Sequence, residues 1–134
     1  MKINKLYFII GIPVVVIVLL IIYGYNQPKH NEQQKFSLVE FKKEINANEY
    51  VLVYFNASWC MVCSKMKPII DDIETDYKTL KIIRVNTDDN KEIAVEFEIN
   101  SLPAFMLYHK GVIVWTEIGV MSSSELKTKL NYLK

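Results

Sequence analysis

The chain has 134 residues, enough for one domain with a real core, and a formal net charge of +1. A charge this close to neutral gives no electrostatic case for nucleic-acid binding. Two cysteines are too few for a disulfide-stapled scaffold, so the pair asks for a chemical reading rather than a structural one.

The apolar content, 51% of all residues, is concentrated before residue 26. Lys2 and Lys5 open the chain; Leu6 to Tyr25 carries no charge, and Val14 to Ile22 is wholly Val, Ile and Leu. Twenty helical residues span roughly 30 Å, the thickness of a bilayer core. Tyr7, Tyr23 and Tyr25 fall near the ends, and Gly11 and Pro13 are tolerated in membrane helices. The segment therefore reads as a single transmembrane anchor over 1–25, contacting the membrane through residues 6–25. A cleaved signal peptide is the competing reading, but no small-x-small cleavage site follows the run. No cysteine stands there for a lipid anchor either. Lys2 and Lys5 favour an inside N-terminus and an extracytoplasmic domain, against the opposing pull of Lys29, Lys35, Lys42 and Lys43.

Residues 26–35 (NQPKHNEQQK) are polar and contain Pro28, a linker of about 33 Å when fully extended. Residues 36–134 read as the folded domain. Ser37-Leu38-Val39-Glu40 fits a capping box, with Leu38, Phe41 and Ile45 at helical spacing behind it. Tyr50 to Asn56 is apolar on both faces and predicts a central strand. A helix follows from about Cys60, with Met66, Ile69, Ile70, Ile73 and Tyr77 as its buried stripe and Pro68 as an expected kink. Leu80 to Asn86 is a second strand, and Lys91 to Phe97 a short helix burying Ile93 and Phe97. Ala104 to Tyr108 and Val112 to Ile118 form a hairpin across His109-Lys110-Gly111. Ser122 to Glu125 caps a last helix lined by Leu126, Leu130 and Leu133. The order predicts an α/β fold with a central mixed sheet flanked by helices.

Chemistry centres on Ala57-Ser58-Trp59-Cys60-Met61-Val62-Cys63. A strand that delivers Cys-x-x-Cys onto a helix start places the thiols among unpaired N–H groups and partial positive charge, which favour thiolate. Cys60 is expected to attack and Cys63 to resolve. Trp59 precedes the helix on a loop and reads as a lid, whereas Trp115, mid-strand, reads as packing.

From residue 36 onward the chain resembles the thioredoxin family. The resemblance rests on Trp59-Cys60-Met61-Val62-Cys63 with Pro68 five residues beyond, on Ser101-Leu102-Pro103-Ala104, and on Gly119. It implies a thioredoxin-like fold and a membrane-anchored thiol–disulfide oxidoreductase. It also implies an exposed attacking Cys60, a more buried Cys63, and a cis bond at Leu102–Pro103 facing the cysteines. Trp59, Leu102 and Pro103 would bind substrate, Leu102 through its backbone. Substrates would be protein thiols and disulfides, with another dithiol protein as redox partner. No cofactor is implied, since the cysteines carry the electrons.

Three departures accompany the resemblance. Tyr54 stands six positions before Cys60, where the family has an acidic proton acceptor for the resolving thiol. A phenol with pKa near 10 is a poor base at neutral pH. Met61-Val62 replaces Gly-Pro and offers nothing charged to stabilise a thiolate further, which favours reductant or isomerase over oxidant. Only Gln34 to Phe36 is left to supply the family's first strand. Arg84 reads as a solvated strand-end charge and His109 as a solvated turn residue, while Met61 and Met121 read equally as apolar surface near the site or as packing.

A second reading keeps the fold but not the turnover: a binding module with a permanent Cys60–Cys63 disulfide, favoured by Tyr54. Metal binding is the third. Structural zinc takes four ligands, and His30 and His109 match no zinc spacing, so no metal site is expected.

Overall fold

The computed structural model describes residues 4–25 and 34–133, with the chain falling into two compact units, Met1–Glu32 and Gln33–Lys134. The first contains one helix, α1 (Asn4–Tyr25), which includes Pro13. Its side chains are described from Ile12 to Tyr23, about 18 Å of helix at 1.5 Å per residue. Among the described residues no helix is long and apolar enough to cross a membrane. Of the linker at 26–35, residues 26–33 lie outside the described part.

The second unit begins with α2 (Leu38–Ala47), whose N-terminus is closed by the expected capping box. The Ser37 hydroxyl accepts from the Glu40 N–H at 3.2 Å, and the Glu40 carboxylate accepts from the Ser37 N–H at 2.9 Å. Donation from the Ser37 N–H and, at 2.7 Å, from the Ser37 hydroxyl holds the Glu40 carboxyl below the usual carboxylate range. β1 (Tyr50–Asn56) follows, then α3 (Met61–Asp76), β2 (Leu80–Asn86), α4 (Lys91–Glu96), β3 (Ala104–His109), β4 (Val112–Ile118), α5 (Ser123–Lys129) and a closing 3-10 turn, Asn131–Leu133. α3 continues through Pro68 as one helix of 16 residues.

The sheet order is β2-β1-β3-β4, with β1 parallel to β2 and antiparallel to β3, and β3 antiparallel to β4. β1 is central, and the apolar run that predicted this is buried on both sides. Leu52 and Tyr54 join Met66, Ile70 and Ile73 of α3 and Leu126 of α5 in one core; Val51, Val53 and Phe55 join Phe41 and Ile45 of α2 and Ile93 of α4 in the other. Each such large side chain contributes about 1.5–3 kcal/mol by burial. The expected mixed sheet flanked by helices is therefore what forms.

Among the described residues the family-like first strand does not form. Residues 34–37 are irregular and are held instead by Asn90, itself buried. Its Oδ1 accepts from the Phe36 N–H at 2.8 Å, and its Nδ2 donates to the Gln34 carbonyl at 3.2 Å. The hairpin turn is Lys110-Gly111, with φ of 49° and 81°, the left-handed pair a two-residue turn needs.

Three expectations from the sequence are corrected, and the open reading of Met121 is decided in favour of packing. Arg84 is not solvated: its side chain is 12% exposed and lies mid-strand against α3. His109 closes β3, stacked on Tyr50 at 4.4 Å with Nε2 3.8 Å from Glu49 Oε1. Met121 is buried in the α3/α5 core rather than displayed. Phe97 is half-buried, meeting Phe41 edge-on at 5.3 Å. In each case the partner is remote in sequence or lies beyond the end of an element, where local periodicity carries no signal.

Candidate active site

The site forms where β1 runs out. Asn56 ends the strand, residues 57–60 turn, and Cys60 takes the N-cap position of α3 with extended backbone, φ −81° and ψ 94°. An N-cap side chain normally offers an oxygen to the first turn's free N–H groups. Here the Cys60 sulfur does so, accepting from the Cys63 N–H at 3.3 Å. The turn is tightened by Cys60 N–H donating to the Ala57 carbonyl at 3.1 Å. The sulfur thus sits where the helix dipole and the Cys63 N–H, which it shares with the Cys60 carbonyl, favour negative charge.

Cys60 and Cys63 are joined as a disulfide. Both are buried, Cys60 at 7% and Cys63 at 4%. The expectation of an exposed Cys60 is corrected in degree: the N-cap geometry folds its side chain back over the first turn. The order, Cys60 more open than Cys63, is kept. Trp59, Met61 and Val62, flanking and between the cysteines, are the exposed apolar groups, at 70%, 84% and 43%.

Trp59 is not free to swing. Its Nε1 donates to Asp88 Oδ1 at 3.2 Å, and Asp88 lies on the turn after β2. That turn is tied to the active-site loop a second time, by Asn86 Nδ2 donating to Ser58 Oγ at 3.1 Å. The Asp88 N–H in turn donates to Asn86 Oδ1 at 2.8 Å. Sequence reasoning took Thr87 to Asn90 for a plain turn and missed both residues. The one available signal was a polar cluster at the C-terminal end of a parallel strand beside β1, where open α/β sheets place their sites.

On a further side stands the Leu102–Pro103 segment, with a cis peptide bond as the resemblance implied. Leu102 is half-buried and Pro103 buried, and Leu102 packs against both cores. Gly119, φ 107°, donates its N–H to the Pro103 carbonyl at 2.8 Å, fastening the end of β4 to this segment.

Tyr54 lies behind the pair, 3% exposed and stacked on Phe105 at 5.2 Å. Its hydroxyl donates to the Cys63 carbonyl at 2.8 Å. Burial pushes the phenol up to about 12, so it keeps its proton at neutral pH. It is neither mere filler nor a base; it is a fixed donor to the helix backbone. Opposite it across the β1–β2 register, Arg84 reaches α3 from β2, with Nη2 2.7 Å from Asp71 Oδ1 and 2.8 Å from Glu74 Oε2. Asp71 and Glu74 are three apart on one face of α3, so a single guanidinium meets both. Among the described residues no group of three or more His, Cys, Asp or Glu could hold a metal ion.

Comparison with known proteins places this geometry. The thioredoxin family model matches residues 32–132. A thioredoxin of Pyropia yezoensis is 43% identical over 93 residues, 68% of this chain and 87% of the relative. That of Porphyra purpurea is 41% identical over the same shares. Among solved structures, a thioredoxin of Plasmodium falciparum is 32% identical with a TM-score of 0.66, covering 71% of this chain and 92% of its own. The oxidised mitochondrial thioredoxin 3 of Saccharomyces cerevisiae is 26% identical with the same TM-score, covering 71% and 89%. A cysteine pair capping the helix after the central strand, in a chain this close to those proteins, makes it a member of the thioredoxin family and a thiol–disulfide oxidoreductase.

Proposed function

We propose that the protein exchanges its Cys60–Cys63 pair with disulfides of other proteins, Cys60 attacking and Cys63 resolving. The observation that carries this reading is the N-cap position of Cys60, where its sulfur already accepts the Cys63 N–H. In the reduced form the Cys60 thiolate attacks one sulfur of a substrate disulfide. A mixed disulfide forms and the other substrate sulfur leaves as a thiol. The Cys63 sulfur then attacks Cys60 Sγ, closing the Cys60–Cys63 disulfide and releasing the second substrate thiol. Two electrons pass to the substrate, and a dithiol redox partner restores the reduced pair. Trp59, Leu102 and Pro103 frame the approach, with Met61 and Val62 adding apolar surface. A substrate segment would lie against Trp59 and pair with the Leu102 backbone.

Reduction or isomerisation fits better than oxidation. Met61 and Val62 supply no cation or hydrogen-bond donor that would stabilise the thiolate beyond the helix terminus itself. Residues 1–25 serve as a single-pass membrane anchor, 26–35 as a linker and 36–134 as the catalytic domain, held on the extracytoplasmic face. Support for the anchor is the uncharged run from Leu6 to Tyr25 and the helical backbone over Asn4–Tyr25, about 33 Å at 1.5 Å per residue. The exposed Ile12, Val14 to Ile22 and Tyr23 would find their apolar surroundings in lipid.

Three measurements test these assignments. Cys63→Ser should accumulate mixed disulfides through Cys60 in cells, visible as adducts lost on reduction and absent from Cys60→Ser. Partners that still bind without any such adduct would favour the binding-module reading. The midpoint potential of the pair should lie nearer about −270 mV than about −120 mV, the latter marking an oxidant. The full chain should stay with membranes through alkaline carbonate extraction, with its domain open to protease from the extracytoplasmic side. Recovery of the intact chain in the soluble fraction would remove the anchor.

A further inference from the structure

We propose that Tyr54 is a positioning residue that commits its hydroxyl to the Cys63 carbonyl and leaves the Cys63 thiol, among the described residues, without a side-chain proton acceptor, so that substrate release is paced by proton loss from Cys63 to water. The inference rests on the reading of Cys60 as attacker and Cys63 as resolver.

The surroundings of Cys63 are accounted for element by element. From β1, the facing group is Tyr54, whose one proton points at a backbone oxygen 2.8 Å away. The charged group that β2 presents to α3 is Arg84, whose Nη2 is engaged further along that helix by Asp71 and Glu74. Those two carboxylates sit eight and eleven residues along the helix from Cys63, held to the guanidinium. β3 contributes Phe105, α5 contributes Leu126, and the segment after β4 contributes Met121, all apolar members of the core that contains Cys63. The turn after β2 contributes Asp88, which is exposed and accepts from Trp59 rather than from either cysteine. Among the described residues the buried polar side chains are Asn56, Asn86 and Asn90, none of them a base.

The consequence follows from the order of events. In the mixed disulfide, Cys60 Sγ is bonded to a substrate sulfur and Cys63 carries a thiol. Cys63 must lose its proton before its sulfur can attack Cys60 Sγ and expel the substrate thiolate, which then takes a proton from water. A free thiol has a pKa near 8.5, and apolar burial raises it. Below that value the reactive fraction grows tenfold for each pH unit. A carboxylate at position 54 would take the proton locally and flatten this dependence; a phenol bonded to the Cys63 carbonyl does not. The mixed disulfide is therefore long-lived at neutral pH, which gives a bound substrate time to rearrange its own disulfides before release.

The test mixes the reduced full-length protein with a synthetic disulfide peptide and quenches with acid. Mass spectrometry then counts the mixed disulfide on Cys60 against the closed pair. Wild type should resolve at a rate rising close to tenfold per pH unit from pH 6 to 8. Tyr54→Phe should keep that slope, with a rate within about threefold, because only the positioning bond is lost. Tyr54→Asp, where it folds, should raise the pH 7 rate at least tenfold and flatten the profile. A flat wild-type profile, or a Tyr54→Phe rate reduced more than tenfold with the slope lost, overturns the proposal by making a protein group the acceptor. Failure of Cys63→Ser to trap any adduct would instead overturn the underlying assignment of roles.

Discussion

The interaction on which the site depends is the one between the Cys60 sulfur and the Cys63 N–H in the first turn of α3. Ordinary helices close this end with serine, threonine, asparagine or aspartate, as Ser37 and Ser122 do here for α2 and α5. Placing sulfur in that position converts a stabilising cap into an activated nucleophile, since the donors that satisfy a neutral acceptor hold a thiolate more strongly. The structural demand is that the helix start stay put. β1, buried on both faces, fixes the point where the chain leaves the sheet. The Ala57 carbonyl, the Tyr54 hydroxyl and the Arg84 guanidinium then tie the turn and the helix to it.

Tyr54 is the part of this support that departs from the family pattern, and Arg84 lies opposite it in the β1–β2 register. An aspartate at position 54 beside a cation would form a buried ion pair and a proton acceptor. With tyrosine there, the cation turns to the acidic face of α3 instead. The pairing is largely shielded from solvent on the Arg84 side, so removing either carboxylate partner leaves charge that the remaining one must satisfy. Position 54 thus supplies a hydrogen bond to the start of α3 where an aspartate would supply a base.

Much of this was legible in the sequence. The boundaries of β1, β2 and β4 follow from apolar runs ended by polar turns, and both capping boxes declare themselves through Ser and Glu three apart. The cysteine pair shows in its own spacing between a strand and a helix, whereas Pro103 and Gly119 are visible only through the resemblance to the family. Arg84 and His109 were misread, Asp88 was missed and Met121 was left open for one physical reason: what decides their environment is a partner supplied by tertiary packing. Arg84 meets residues 10 and 13 positions back, and Asp88 meets Trp59 across 29. Tyr54 was legible as an anomaly, but only the bond to the Cys63 carbonyl shows what the hydroxyl does.

The central claim, that the N-cap position makes Cys60 the reactive thiolate, is tested most directly by timed iodoacetamide labelling of the reduced protein across pH, with each cysteine read by mass spectrometry. The account predicts that Cys60 is alkylated at least tenfold faster than Cys63 at pH 7, with an apparent pKa below about 8.5. Equal rates, or Cys63 reacting first, would contradict it.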